Sequence, residues 1–265
     1  MKKKLSRMIK MTFPESLQLK LTERKAEHAL RSLQYHSSNL IDFSSNDYLG
    51  FSSSDAISIL ASDKLSSYSS SSYGSTGSRL LTGNYPMIQD FESYLASYYH
   101  TEASTVFNSG YDANLGLLSS VAQRQDLILY DELSHVSIRE GIALSKAKSC
   151  KLKHNNLEEL EQKLIKFTSK YNNIFIVTEH VFSMDGDCAS IDSIIKLCER
   201  YSAYLILDEA HSVGTISKNG CSIYSQNIFA RIITFGKTYG SHGAAMLGQH
   251  SLKEYLINFA KSFIY

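Results

Sequence analysis

Little in this sequence is in excess. Lys plus Arg number 27 against 26 Asp plus Glu in 265 residues, so no net field gathers nucleic acid or an anionic membrane surface. The four cysteines, Cys150, Cys188, Cys198 and Cys221, have no C-x-x-C spacing and no paired pattern. That excludes the usual zinc spacings and a disulfide framework, and it fits a reducing cytoplasm. No apolar run approaches the length of a membrane span. The opening MKKKLSRMIKMTF is basic like a signal peptide, but Ser6, Arg7 and Lys10 interrupt the apolar segment that would have to follow. These absences predict a soluble cytoplasmic chain with no nucleic-acid partner, no membrane partner and no metal.

What is present is ordinary globular composition, with 43% hydrophobic and 20% charged residues, enough to bury a core. The length predicts one large domain or two small ones. Glu15–Gln34 reads as an amphipathic helix after Pro14 and NLIDFSSNDYLG as a short extended piece. The serine run in KLSSYSSSSYGSTGSRLLTGN suggests a linker in isolation. Arginine, leucines and glycines follow it at once and lead into the helical YPMIQDFESYLASYY, so an ordered loop at a site is the expectation. From Ser104 onward, short continuous apolar runs (STVF, DLILY, NIFIVTE, AYLILDE, RIITFG) alternate with helical stretches such as NLEELEQKLIKFTSKY and SIDSIIKLCERYS. Runs of that kind are strands covered on both faces. The alternation predicts an α/β fold, a mostly parallel sheet flanked by helices.

Each run is followed closely by polar or ionisable residues: Asn108, Ser109 and Gly110; His135; Glu179 and the HVFSMDGD stretch; Asp208 and His211; Lys237. Ligands of parallel sheets sit at the carboxyl ends of the strands, so a site is expected there. LDEAH invites an ATPase reading with Asp208 on magnesium. A P-loop would precede it, yet GKT occurs only at Gly236–Thr238, and Arg231 stands where its first glycine belongs. A G-x-G-x-x-G dinucleotide fingerprint is also missing. A strand-end carboxylate and a later strand-end lysine suit an imine-forming carbonyl cofactor whose pyridine nitrogen needs a charge partner. Asp208 also reads as a helix N-cap.

SNDYLG, GSTGSRLLTGN, FNSGYDANLG, DELSHVS, TEHVFSMDGD, LDEAHSVG and TFGKTYGSHGAA together resemble the pyridoxal-phosphate-dependent α-oxoamine synthases, enzymes of fold type I. The resemblance implies a helical arm over residues 1–45 and a cofactor-binding large domain over 46–265. It implies decarboxylative condensation of an amino acid with an acyl-CoA or acyl-carrier-protein thioester, in a homodimer. The branch joining L-alanine to a pimeloyl thioester fits best; glycine- and serine-using branches, or a non-catalytic remnant, are alternatives.

By the same resemblance Lys237 carries pyridoxal 5′-phosphate and serves as base, and Asp208 pairs with the pyridinium nitrogen. His211 and Ser183 bond the phenolic oxygen, and His135 stacks on the ring. Gly110, Tyr111 and Thr234 hold the phosphate, while Asn46, Tyr48 and Glu179 lie near the substrate. Asp185 and Gly186 read as a tight turn. Thr76 departs from the glycine usual in this family. SLKEYLINFAKSFIY reads as one helix, Ser251 to Tyr265, with Leu256, Phe259 and Phe263 uncovered. The family continues for roughly one small domain more, so the chain reads as truncated.

Overall fold

A computed structural model describes residues 13–35, 39–68, 74–217, 219–220 and 226–265. The basic opening up to residue 12, residues 69–73 of the serine run and Cys221 lie outside the described residues. Backbone contacts divide the chain into two units, Met1–Ser44 and Ser45–Tyr265.

In the first unit, helix α1 spans Glu15–Ala26 and stops well short of the expected Gln34. His28 takes a left-handed φ of 56°, and the Ala29 N–H reaches back to the Arg24 carbonyl at 2.8 Å, a closure that ends helices. Leu17, Leu19 and Leu21 stay exposed, because a spacing of two cannot keep side chains on one helical face.

The second unit holds a seven-stranded sheet of β1 (Ala103–Phe107), β2 (Leu127–Asp131), β3 (Lys148–Leu152), β4 (Ile174–Glu179), β5 (Tyr204–Asp208), β6 (Ala230–Thr234) and β7 (Ala244–Gly248). Its order is β1-β7-β6-β5-β4-β2-β3. β7 runs antiparallel to both neighbours, and the other pairings are parallel. Six strands therefore end at one edge. All five apolar runs are strands. β3 and β7 escaped the sequence pattern: KSCKL is an edge strand with only Leu152 buried, and AAMLG carries mostly small side chains.

After α2 (Asp55–Ser66), which buries no side chain, helices cover both faces: α3 (Pro86–Tyr98), α4 (Gly110–Val121), α5 (Val136–Leu144), α6 (Leu157–Phe167), α7 (Ile191–Tyr201), α8 (His250–Phe259) and α9 (Lys261–Ile264). Strand alternation divides the core between them. Ile206 of β5 packs with Leu117, Ile138 and Leu256 of α4, α5 and α8. Its neighbours Leu205 and Leu207 pack with Leu160, Leu164 and Ile194 of α6 and α7. The result is the α/β architecture of fold type I.

Two further expectations are corrected. Residues 39–50 form turns, not an extended strand; within them the Asp47 carboxylate accepts the Phe51 and Ser52 N–H groups at 2.9 and 3.0 Å. The C-terminal stretch is not one helix, for Ala260 takes ψ 104° and separates α8 from α9. That bend brings Ser262 Oγ within 2.6 Å of the Asp112 carbonyl, beside Gly116, where a Cβ would lie 2.5 Å from the hydroxyl. Leu256 is consequently fully buried, and Phe263 packs edge-on against Phe107 at 5.5 Å. Of the three side chains expected to be uncovered, only Phe259 is.

Candidate active site

The sheet edge gathers the ionisable groups that the sequence scatters. Lys237, three residues past β6, places Nζ 2.5 Å from His211 Nε2. His211 lies three residues past β5, and its Nδ1 is 2.8 Å from the Tyr48 hydroxyl, which donates to Asn46 Oδ1 at 3.1 Å. An ammonium only donates, so Nε2 accepts from it and the imidazole proton sits on Nδ1. Burial, then the Lys237 charge, pushes the His211 pKa down to about 4. Burial also lowers the pKa of Lys237, against the opposing pull of Asp208 and Glu179. The loop after Lys237 is fitted closely: Gly240 has φ +58°, and a Cβ there would lie 2.2 Å from the Ser52 amide nitrogen. That contact holds the Asn46–Ser53 stretch beside the lysine.

Asp208 ends β5 and is 6% exposed. Its Oδ2 accepts from Asn114 Nδ2 at 2.7 Å and its Oδ1 from the Ala210 N–H at 2.9 Å. The neighbouring letter of DEAH points to another partner, since Glu209 Oε2 meets Arg231 Nε at 2.5 Å with both side chains fully buried. Beside Asp208 in strand register stands Glu179, whose Oε1 accepts the His135 N–H at 2.6 Å. Burial first, then the Asp208 charge, raises the Glu179 pKa to about 7. The His135 ring is exposed and places Nδ1 2.8 Å from Ser137 Oγ.

At the start of α4, Ser109 Oγ caps the Asp112 N–H at 3.0 Å. The Gly110 and Tyr111 N–H groups, which no helical carbonyl can reach, remain for an anion. A Cβ on Gly110 would lie 2.6 Å from Thr234 Cγ2, so only glycine lets this turn seat against the end of β6. Tyr111 directs its hydroxyl outward to Glu140. Ser183 is exposed in the hairpin after β4, where Gly186 has φ +73°, the tight turn that its sequence suggests. The amine, the carboxylate, the neutral imidazoles and the anion cradle fit a phosphorylated pyridine aldehyde.

Arg79 of the GSTGSR segment is ordered by Glu92 at 2.5 Å and by Asn84 at 2.8 Å. Sequence reasoning missed Asn114 and Ser137, polar residues inside helices with no spacing to mark them.

A sheet of this order with a lysine and an aspartate at its edge defines a class of enzyme, and the chain belongs to it: the aminotransferase class I and II family, matched over residues 38–265. Within that class it is identified with the pyridoxal-phosphate-dependent α-oxoamine synthases, and pyridoxal phosphate is the cofactor of that group. Over 196 residues it is 43% identical to the 8-amino-7-oxononanoate synthase of Chlorobaculum parvum, covering 72% of this chain and 50% of that protein. A serine palmitoyltransferase from Sphingomonas wittichii superposes with a TM-score of 0.82 at 26% identity, covering 96% of this chain and 68% of the other. The 8-amino-7-oxononanoate synthase of Francisella tularensis gives 0.69 at 32%, covering 86% and 64%. The chain spans about half the length of the curated relatives it matches. Among the described residues no helix is long and apolar enough to cross a membrane, and no cluster of His, Cys, Asp and Glu could hold a metal ion.

Proposed function

We propose that this chain is the cofactor-holding part of an α-oxoamine synthase, with residues 46–265 as cofactor domain and residues 1–45 as a helical arm. The whole enzyme joins L-alanine to a pimeloyl thioester, carried by coenzyme A or a carrier protein, and releases carbon dioxide to give 8-amino-7-oxononanoate. The observation that carries the reading is Lys237 Nζ at 2.5 Å from His211 Nε2, one strand from the Asp208 carboxylate. The 43% identity to an 8-amino-7-oxononanoate synthase supports the alanine branch. The serine palmitoyltransferase superposition supports a glycine- or serine-using branch as second reading.

Pyridoxal phosphate supplies a ring that draws electrons from the substrate's α-carbon. Lys237 Nζ would hold the cofactor carbonyl and, as a free amine, would take the substrate's α-proton; burial shifts the group toward the neutral form that this requires. Asp208 keeps a proton on the pyridine nitrogen. Neutral His211, with Ser183, bonds the phenolic oxygen, and His135 offers a flat ring for stacking. Gly110 and Tyr111 N–H groups and the Thr234 hydroxyl take the phosphate, while Asn46, Tyr48 and Glu179 border the amino acid. Exposed Leu49, Leu80 and Leu81, in the SNDYLG and GSTGSRLLTGN segments, support a homodimer, which we place in the cytoplasm.

Borohydride treatment of the chain with pyridoxal phosphate is expected to fix the cofactor to the peptide holding Lys237, and Lys237→Ala to abolish the label. Label on another lysine overturns the assignment. A panel of alanine, glycine and serine against acyl thioesters, run on a chain extended to the relatives' length, decides the branch.

A further inference from the structure

Beneath the site lies a buried amide. Asn114, in the second turn of α4, is 2% exposed. Its single Nδ2 lies 2.7 Å from Asp208 Oδ2 and 3.1 Å from Ser137 Oγ, and its two N–H bonds serve both acceptors. Ser137, itself 1% exposed, then has its own proton to place. The acceptor within reach is His135 Nδ1 at 2.8 Å, toward which the Ser137 backbone N–H also points at 3.3 Å. A ring nitrogen that accepts from two donors carries no proton, so the His135 proton belongs on Nε2.

We propose that Asn114 and Ser137 are positioning residues for the cofactor ring: one directed run of hydrogen bonds, Asn114 to Asp208 on one side and Asn114 to Ser137 to His135 on the other, sets both the carboxylate that meets the pyridine nitrogen and the tautomer of the imidazole that stacks on it. This rests on the site being a pyridoxal phosphate site. Packing alone gives no reason for an amide here, because Asn114 Oδ1 is buried with no partner among the described residues, a cost that a leucine would avoid. The groups facing His135 are Asp208, Lys237 and Arg139, with Glu179 on its backbone N–H. Although the residue as a whole is exposed, desolvation on the protein-facing side of the ring is the largest influence on its pKa and lowers it, consistent with a neutral ring.

The test uses the chain labelled with [15N]histidine, without added cofactor, the His135 signals being assigned by their loss in His135→Gln. The expected result is an unprotonated Nδ1 with the proton on Nε2. In Ser137→Ala the titration midpoint should move upward, because a donor to the neutral form is lost, and Ser137→Thr should restore it. Asn114→Ala should weaken pyridoxal phosphate binding about tenfold or more, the worth of one hydrogen bond to a charged group. A proton on Nδ1 in the unaltered chain overturns the proposal even where a variant does not fold, and so does an unmoved midpoint in Ser137→Ala. Because the tautomer is read without cofactor, a failed borohydride label at Lys237 is separable from a failure here.

Discussion

At the scale of one residue, Glu179 is the side chain whose environment most changes what it can do. Its ordinary pKa of 4.5 is raised to about 7 by burial and by Asp208 across the strand pair. A carboxyl raised on folding contributes stability that is fully present below about 4.5 and is lost as pH rises through about 7. One pKa unit is worth about 1.4 kcal/mol, so the loss across that window is a few kcal/mol. Urea unfolding at several pH values should show that decline in the cofactor-free chain, and Glu179→Gln should flatten it; an equal slope in both would show that another group carries it. The gathering of Lys237, Asp208 and His211 at one sheet edge was legible in the sequence because each ends or closely follows an apolar strand, and such ends share one edge. Asn114 and Ser137 were not, because their importance comes from each other and from Asp208 across three elements, which no local pattern encodes.

At the scale of elements, a clasp holds the hairpin that carries Ser183. His154, just past β3, lies between Asp131 Oδ1 at 3.0 Å and Asp187 Oδ2 at 2.8 Å, with its ring edge-on to Phe182 at 4.5 Å. Burial alone would lower its pKa, but bonds to Asp131 and Asp187 outweigh it and the net shift is upward. A histidine raised on folding stabilises fully below its ordinary value of 6.5 and loses that contribution as pH rises through the folded pKa. Asp187 is partly exposed, which limits the gain to about 1 kcal/mol or less. Hydrogen exchange should therefore find the Phe182 and Gly186 amides, bonded to Asp187 and Phe182 carbonyls, better protected at mildly acid pH than above neutrality once intrinsic rates are removed. In His154→Ala that difference should vanish; its persistence would refute the clasp. Five strands and the helices α3, α6 and α7 were readable from period and apolar runs, whereas α2 and α5 were not singled out. β3 was not, because an edge strand with exposed lysines has no pattern of burial to display.

At the scale of the whole molecule, the residues of the site come from the ends of β1, β2, β4, β5 and β6, and one strand decides whether they meet. β7, the lone antiparallel strand, lies between β1 and β6, pairing Ala103 and Ala230 with the same Gly248. Among the described residues β1 therefore has no other strand to bond to. A chain ended before Ala244 is expected to lose cooperative urea unfolding of the α3–β1–α4 region while β2 to β6 keep theirs, readable by protease cleavage near β1. Uniform resistance would show that β1 docks unaided. The same insertion puts a clock on biosynthesis. At roughly 5–20 residues per second, a ribosome needs on the order of ten seconds to pass from β1 to β7. Throughout that wait β1 and the anion-binding turn after it are an unpaired edge, open to chaperones and to other nascent chains. Long-range pairing of this kind also slows folding, so coexpressing a chaperone that covers unpaired strands should raise the soluble yield more than added cofactor does.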